Sequence, residues 1–416
     1  MPYSESNIDK NLLTTLEKES LPQDKREQLL FKRLSTLLTS LKQDSDYYQQ
    51  ALAEISVGSN FSRDSLSSLP ILRKSSISQL QAENPPLGGL VIGSSVVDRI
   101  FQSPGNIYEG AMDSGDWWRM SHAFHAAGFR KGDIVLNCLS YHMTPGGFIM
   151  DSGARACGCS VIPAGPGQTE QQLHIISQLQ PTGYSGTPSF LNILLDKAKE
   201  KGVEWSISKA LVSGEALSDE LRTKFLEHGI KVHQAYATAD VGLIAYEANY
   251  GEGWVVAEDI IVEIVKPGTS QPVTEPNEVG ELVVTVLNDK YPLIRFATGD
   301  LSAFYTGVTS CGRSNLRIKG WMGRADQTVK VKGLFVHPSQ VQEVIAEFPE
   351  ITKARLIIER ENHNDVMSLH CEYSGSAPEP TYIAESIKRI TKLTGDIQFF
   401  PPNSLNNDGI VIEDLR

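Results

Sequence analysis

Cysteine is scarce and irregularly placed in this chain of 416 residues: there are five, an odd number without repeated spacing. That excludes a small secreted scaffold held by disulfides. Cys157 and Cys159 form a C-x-C pair, not the C-x-x-C of a redox centre or zinc knuckle, and read as two small core residues. Long apolar runs are missing too: none approaches the ~18 residues a membrane span needs. The opening MPYSESNIDK lacks the charged-then-apolar order of a secretory leader. A soluble, cytoplasmic protein with no membrane partner is expected. Positive charge is in deficit, since 38 Lys and Arg against 50 Asp and Glu leave a net charge of −12. That argues against nucleic acid as a partner while leaving room for a local basic pocket. Three catalytic signatures are also absent. No G-x-G-x-x-G follows a strand, which removes a Rossmann dehydrogenase. No G-x-x-x-x-G-K-[ST] is present, which removes a P-loop kinase, and no G-x-S-x-G, which removes a serine hydrolase of the common type. Internal repeats and low-complexity tracts are absent.

What is present is ordinary for a globular protein, with 40% hydrophobic and 21% charged residues, and long enough for more than one domain. Residues 8–56 read as helices, because apolar residues recur at three and four in LLTTLEKES and REQLLFKRLSTLLTSLK. A Pro-broken connection, SLSSLPILRKSSISQLQ, leads into another short helix. The middle third alternates. Strand candidates are DIVLNCLS (133–140), CSVIPAG (159–165), KALVSGEA (209–216) and KVHQAYATAD (231–240), and TGYSGTPSF (182–190) leads into a helix. The helices between them are GFIMDSGARACG, TEQQLHIISQLQ, LNILLDKAKEKG and SDELRTKFLEHG. Units of this length predict parallel βαβ layers with ligands at the carboxyl ends of the strands. From about Trp254 the pattern becomes β-rich, in IIVEIVKPG, VGELVVTVL and LIRFATGDL. After Gly333 a small α/β segment follows: a helix in HPSQVQEVIAEFP, strands in ARLIIER and VMSLHCEYS, and a helix in IAESIKRITKLTG. The fold class is α/β in two domains. Residues 1–322 form a large one (1–95 mostly helical, then parallel βαβ layers plus a β-rich subdomain), and 323–416 a small hinged α/β domain.

The densest chemistry lies in residues 291–333, YPLIRFATGDLSAF followed by CGRSNLRIKGWMGRADQTVKVKG. Thr298, Gly299 and Asp300 put a carboxylate at the end of an apolar strand, where it can accept hydrogen bonds from two adjacent hydroxyls such as those of a ribose. Gly323 and Arg324 put a guanidinium on a bend within reach of a phosphate. Lys330, Lys332 and Gly333 form a basic turn beyond it. Each motif alone reads as a hairpin with solvated charges; the ordered trio points to a nucleotide.

The trio resembles the phenylacetate–CoA ligase-like branch of the adenylate-forming enzymes, over roughly residues 95–416. In that family the Asp of the Thr-Gly-Asp turn holds the ribose of ATP, and a Gly-Arg-x-Asp hinge joins a large and a small domain. The resemblance implies a ribose-binding Asp300, a phosphate-contacting and catalytic Arg324, a hinge at Asp326, and a catalytic Lys330 in a lid loop. SGEALSDELR (213–222) resembles the family's turn against the adenine, with Gly214 and Glu215, though Ser218 also reads as a helix cap. HQAYATADVG (233–242) resembles its Tyr-Gly-x-Thr-Glu motif. Ala235, Tyr236 and Ala237 then face the nucleotide, with Tyr236 stacked on the base, and Asp240 replaces the glutamate that helps hold Mg²⁺. Being one methylene shorter, Asp240 should reach the ion through a water. SYHMTPGG (140–147) resembles the segment lining the acid, with Tyr141, His142 and Gly146 as acyl-pocket residues; a packed structural Tyr–His pair is the competing reading. His122 and His125 lack a third partner and read as structural.

Two departures stand out. The family's Ser/Thr/Gly-rich phosphate loop is here IFQSPGNIYEG (100–110), keeping only Ser103 and Gly105 and adding the negative Glu109. The family's Gly-Lys near the end, whose lysine bridges carboxylate and α-phosphate, is replaced by Ile410 ahead of Asp414 and Arg416. Cys311 stands alone, without the family's zinc-binding cysteines. The resemblance implies an AMP-forming ligase joining an aromatic or other hydrophobic carboxylic acid to a thiol of coenzyme A, with ATP, Mg²⁺ and coenzyme A as cofactors and a homodimer left open. The alternative is a non-catalytic or half-catalytic relative that binds nucleotide or acyl adenylate.

Overall fold

The structure is a computed structural model that describes residues 17–416 except 59–60, 94–96, 104–105, 267–268, 276, 323, 326, 328, 337, 362–363 and 407–409. Its chain divides into two compact units. One comprises the chain to Thr298 with Ser302–Trp321; the other comprises Gly299–Leu301 with Met322–Arg416. Among the described residues no helix is long and apolar enough to cross a membrane.

In the first unit the expected amphipathic helix spans Gln23–Asp44, burying Phe31, Leu34, Leu37, Leu38 and Leu41 along one face. Most of LLTTLEKES lies outside the described residues. A second helix, Asp46–Ala51, and a 3₁₀ turn, Arg63–Ser68, lead to strand β1 (Leu72–Arg73) and the helix Lys74–Glu83. Then comes an antiparallel hairpin that sequence reading treats as a loop, β2 (Arg99–Ser103) and β3 (Ile107–Ala111).

The βαβ reading of the middle third holds. Strands β4 (Ile134–Asn137), β5 (Ser160–Pro163), β6 (Gly183–Gly186), β7 (Lys209–Val212) and β8 (Lys231–Thr238) pair in parallel in the order β5-β4-β6-β7-β8. The helices Gly146–Ala156, Thr169–Leu179, Pro188–Lys201 and Asp219–Glu227 connect them. Local signals set their ends. The Ser218 hydroxyl accepts from Leu221 N at 3.2 Å, and Gly202, at φ +65°, closes the helix that starts at Pro188. The sheet then continues antiparallel through β9 (Gly242–Glu247), β10 (Trp254–Val256) and a later short strand, giving eight strands. Trp254 thus belongs to the large sheet and not to the β-rich part. That part is a separate four-stranded sheet, in which β11 (Ile260–Val265), β12 (Gly280–Val286) and β13 (Leu293–Ser302) are joined at the edge by β1. The eighth strand of the large sheet is β14 (Arg317–Ile318).

One buried ion pair organises the smaller sheet. Arg295, fully buried, gives two hydrogen bonds of 2.9 Å to Glu263 and others to the Leu69 and Ser270 carbonyls. A charge this deep is tolerated because its donors are met by a carboxylate and backbone acceptors. Thr298 Oγ1 adds a bond to Leu282 O at 3.0 Å.

The second unit contains the hairpin β15 (Val329–Val331) and β16 (Leu334–Val336), the helices Pro338–Ala346 and Pro380–Thr391, and a four-stranded sheet. That sheet orders β19 (Asp396–Phe400), β18 (Asn364–Tyr373), β17 (Ile351–Glu361) and β20 (Ile412–Asp414). Val341, Val344, Leu356, Ile358, Leu369, Ile383, Ile387 and Ile412 form its core.

Candidate functional site

Parallel strands direct their carboxyl ends to one edge of a sheet, and the loops there are free of regular pairing. Six candidate residues of the first unit lie on that edge. Tyr141, His142 and Gly146 follow β4, Gly214 and Glu215 follow β7, and Asp240 follows β8. Ala235, Tyr236 and Ala237 form the last turn of β8 itself, where a bulge between Tyr236 and Ala237 shifts the register against β9.

The turn after β7 is fixed from both sides. Ser213 N donates to Gly186 O at 3.0 Å, and Leu217 N donates to the Gln234 side chain at 3.0 Å. Gly214 sits at φ +85°, a conformation L-residues rarely adopt, and is exposed. Glu215 turns its carboxylate onto Ser189, accepting from its backbone N–H at 3.0 Å and from its hydroxyl. Ala235 and Tyr236 are buried and Ala237 is half-buried.

After β4 the two residues of the Tyr–His pair differ in their surroundings. Tyr141 is held: its hydroxyl accepts from Asn137 Nδ2 at 2.7 Å and donates to Asp151 Oδ2 at 3.2 Å. Burial, with the Asp151 charge behind it, pushes the phenol well above its usual range. Its ring stands edge-on to Phe148 at 5.2 Å, Phe148 lies 5.2 Å from Phe101, and Phe101 lies 6.0 Å from Trp118. His142 is exposed in the turn. The glycine that packing requires is Gly147, where a Cβ would come within 2.7 Å of the Tyr141 ring; at Gly146 nothing lies closer than 3.9 Å. Sequence reasoning named Gly146 and passed over Gly147, Phe101, Phe148 and Trp118.

Asp240 has a partner that its sequence position does not reveal. Lys74 Nζ, at the start of the helix Lys74–Glu83, is 2.7 Å from Asp240 Oδ2. The other oxygen, Oδ1, is buried without a hydrogen-bond partner among the described residues. Such an atom suits a cation ligand, so the residue fits the Mg²⁺ implied by the resemblance. Among the described residues no group of three or more His, Cys, Asp or Glu is arranged to hold a metal ion. In the sequence, only the position of Lys74 shortly after Leu69 and Pro70, in the Pro-broken connection, hinted at it.

The β2–β3 hairpin covers the stretch IFQSPGNIYEG, where the resemblance puts the phosphate loop. Ser103 pairs with Ile107, leaving three residues for the turn, of which 104 and 105, Gly105 included, lie outside the described set. Asn106 takes φ +55°.

In the second unit Asp300 and Arg324 meet. Arg324 Nη1 donates to Asp300 Oδ1 at 3.0 Å, the two backbones form an antiparallel bridge, and Ala325 N donates to Gly299 O at 2.6 Å. Gly299 needs its missing side chain, since a Cβ there would lie 2.8 Å from Arg324 Nη2. Asp300 is 5% exposed. The proposed hinge residue, Asp326, lies outside the described residues. Gln327 beside it accepts from Val411 N at 2.6 Å and Ile412 N at 3.0 Å, tying the segment to the terminal strand. Lys330 is exposed on β15 opposite Phe335. The turn after it is anchored by Lys332 N on Asp365 at 3.3 Å, and Arg416 grips the same carboxylate at 2.7 Å. Ile410 is 36% exposed just before β20.

Of the two histidines, His122 is held in a buried ion-pair network, whereas His125 Nδ1 is buried without a hydrogen-bond partner among the described residues. His122 is buried with Nδ1 2.6 Å from Glu19, which Arg313 also contacts at 2.7 Å and Tyr246 through its hydroxyl.

Comparison with known proteins brings these features to one family. The model of the AMP-binding enzyme family matches residues 105–286. A phenylacetate-coenzyme A ligase of Thermus thermophilus is 28% identical over 377 residues, spanning 86% of this chain and 84% of the relative. One of Pseudomonas putida is 26% identical over 414 residues, spanning 94% and 92%. Among solved structures, a 2-hydroxyisobutyryl-CoA ligase in complex with 2-HIB-AMP and CoA superposes with a TM-score of 0.75 at 20% identity, covering 95% of this chain and 91% of that one. An amide bond synthetase of Marinactinospora thermotolerans gives 0.51 at 16% identity, covering 75% and 66%. Sequence likeness along nearly the whole chain, with the same fold beneath it, supports the adenylate-forming superfamily and its phenylacetate–CoA ligase-like branch.

Proposed function

We propose that this chain is an AMP-forming ligase that activates a hydrophobic carboxylic acid and passes the acyl group to the thiol of coenzyme A. The observation carrying this reading is the carboxyl edge of the parallel sheet: the Gly214 turn follows β7, Tyr236 ends β8, and Tyr141, whose ring meets Phe148 and through it Phe101, follows β4. Each has a task. Gly214 allows the backbone to approach a flat base, and Tyr236 supplies a ring to stack on it. The aromatic group offers an apolar wall to an aromatic or branched acyl group. Asp300 accepts from the ribose hydroxyls, and Arg324, now on Asp300, is the group to contact phosphate as the two separate. Lys330 presents a cation on the lid hairpin; the hinge role of Asp326 rests on the resemblance alone. Asp240 would hold Mg²⁺ through Oδ1, and the ion would neutralise phosphate charge. All five cysteines are free thiols, which supports a reducing, cytoplasmic setting.

A second reading shares the site and limits the chemistry. The three-residue turn between Ser103 and Ile107 and the apolar Ile410 favour a half-catalytic protein that handles acyl adenylate and is slow to make it. Two assays separate the readings. Pyrophosphate release over a panel of aromatic and aliphatic acids reports adenylation, and thioester formation from supplied acyl-AMP reports the second step. Activity in both supports the full ligase, activity in the second alone supports the half-reaction, and activity in neither refutes both.

A further inference from the structure

The turn that joins β8 to β9 is held from outside by two residues that the function proposed above does not use. Trp118 and Arg119 lie just before the helix Ser121–Ala126, whose start is met by Asp116: Met120 N donates to Oδ1 at 2.9 Å and Ser121 N to Oδ2 at 2.8 Å. Arg119 takes φ +62°, a left-handed conformation that is unfavourable for a residue with a Cβ. Its Nη2 donates to the Val241 carbonyl and, at 3.5 Å, to that of Leu243, and its Nη1 donates to the Trp117 carbonyl at 3.5 Å. Every acceptor this guanidinium meets among the described residues is a backbone carbonyl, and its Nε is buried with no partner among them. Trp118 completes the grip. Its carbonyl accepts from Leu243 N at 3.1 Å, and its side chain lies where a Cβ on Gly242 would come within 2.7 Å. On the other side of the turn, Val241 N donates to Thr238 Oγ1 at 3.2 Å.

A partly desolvated charge that meets only carbonyls, on a backbone at positive φ, is unfavourable for the fold taken alone. Such features persist where their surroundings over-determine them, and they gather at functional sites. We propose that Arg119 is a positioning residue of the nucleotide site, fixing with Trp118 the turn after Asp240 and through it the Tyr236 ring. The link is register. β8 bulges between Tyr236 and Ala237, next to the closing pairs Ala237↔Leu243 and Thr238↔Gly242. Side chains alternate along a strand, so a turn displaced by one residue either moves the bulge or sends Tyr236 to the other face of the sheet. Holding Val241, Gly242 and Leu243 in place fixes which residue takes the bulge. The consequence for a nucleotide rests on the function proposed above; the hold on the turn does not.

AMP affinity of the full chain, measured by calorimetry, is the first readout. Arg119→Met should weaken it by roughly fivefold or more, the low end of losing one base–aromatic stack. Adding Tyr236→Ala should then cost little further, because both changes remove the same stack. A role in stability alone would leave the two losses additive. Arg222→Met is the control. Arg222 holds the far end of the same two strands, through Val232 O at 3.0 Å and Glu247 at 2.9 Å, so its loss should lower the thermal midpoint and leave AMP affinity unchanged. Where Arg119→Met fails to fold, Gly242→Ala displaces the same turn against Trp118 with Arg119 intact, and the same loss is expected. Hydrogen exchange of the nucleotide-free protein reads the hold on the turn by itself: residues 239–243 should exchange faster in Arg119→Met and at the wild-type rate in Arg222→Met. Unchanged exchange, unchanged AMP affinity or additive losses overturn the proposal. If wild type binds no AMP while exchange responds as expected, the ligase reading falls and the hold on the turn stands.

Discussion

Replacing Asp300 by alanine should weaken AMP binding by about 1.5–3 kcal/mol, the range for hydrogen bonds to a charged group. At 1.4 kcal/mol per tenfold that is roughly 10–150-fold in Kd. The lower half of the range is the better expectation, because the carboxylate is already engaged: Arg324 Nη1 holds Oδ1 at 3.0 Å, so a ribose adds bonds to a group that is not empty-handed. Asp300 is 5% exposed, and the Arg324 side chain is 25% exposed. Removing the Asp300 carboxylate therefore leaves a guanidinium that already has a quarter of its surface in water, which limits the structural penalty. Calorimetry should compare wild type with Asp300→Ala, each with AMP and with 2′-deoxy-AMP. If Asp300 binds the diol, losing the hydroxyl costs wild type affinity and costs the variant nothing further, because the two changes remove the same contact. Equal AMP affinity in the two proteins, or an undiminished deoxy penalty in the variant, would refute the ribose assignment. Thermal midpoints of both proteins guard against simple loss of folding.

Other consequences follow from the same geometry. Ile410→Lys restores an ammonium where the family carries one, and should raise acid-dependent pyrophosphate release by at least about tenfold, part of what a well-placed transition-state donor contributes, with thioester formation from supplied acyl-AMP unchanged. Arg295→Met leaves Glu263 buried and unpaired and should cost about 3–5 kcal/mol in denaturant unfolding; adding Glu263→Leu should recover most of it. Glu19 gives a pH signature. Burial opposes its ionisation, but the hydrogen bond and charge of His122, with Arg313 and Tyr246, outweigh it and pull the carboxyl from 4.5 to about 2. A lowered carboxyl stabilises the fold above its unfolded value and loses that contribution as pH falls toward its folded one. Glu19→Gln should therefore cost roughly 3 kcal/mol at pH 7 and about 1.4 kcal/mol less near pH 3.5; a penalty independent of pH would refute this account.

Much of the fold was legible because its signals are local. Strands β11 and β12 are buried at every residue and read as near-continuous apolar runs, interrupted by Glu263 in one and by Glu281 and Thr285 in the other, between Gly, Pro and Asn turns. The hairpin β2–β3 was not legible. Its Ser-Pro-Gly-Asn centre reads as a loop, and only its pairing from Arg99↔Ala111 to Ser103↔Ile107 makes it a structure. Strand β9 was missed because it returns after a three-residue turn and shares its run with the motif before it. Arg295 and Glu263 could have been paired from sequence: each is one charge inside an apolar strand, and a buried charge implies a partner. Lys74 and Asp240 could not, being 166 positions apart, and the same holds for Glu19 and His122 at 103. Nothing in the order of residues shows that Glu109 is buried, since a glutamate after a turn is ordinarily solvated.

The two departures from the family pattern share one chemical step, and this separates selective loss from general decay. A turn of three residues between Ser103 and Ile107 offers few backbone amides with which to wrap a triphosphate. Ile410 offers no cation to the α-phosphate as the acid attacks it. Neither defect bears on holding an acyl adenylate, which has already lost its pyrophosphate. General decay would spread further, and the supporting network does not show it. Arg295 keeps both bonds to Glu263, Arg324 stays on Asp300, Gln327 holds two terminal amides, and Arg416 holds the carboxylate that anchors the Lys332 turn. Each of these is a multi-point arrangement in which losing one partner strands the other, so relaxed selection would break them as readily as a loop. On the function proposed above, these contacts belong to adenylate binding, and the two departures fall on phosphate handling. It follows that the two half-reactions must be measured apart, because overall turnover is set by the slower one and hides an intact second step.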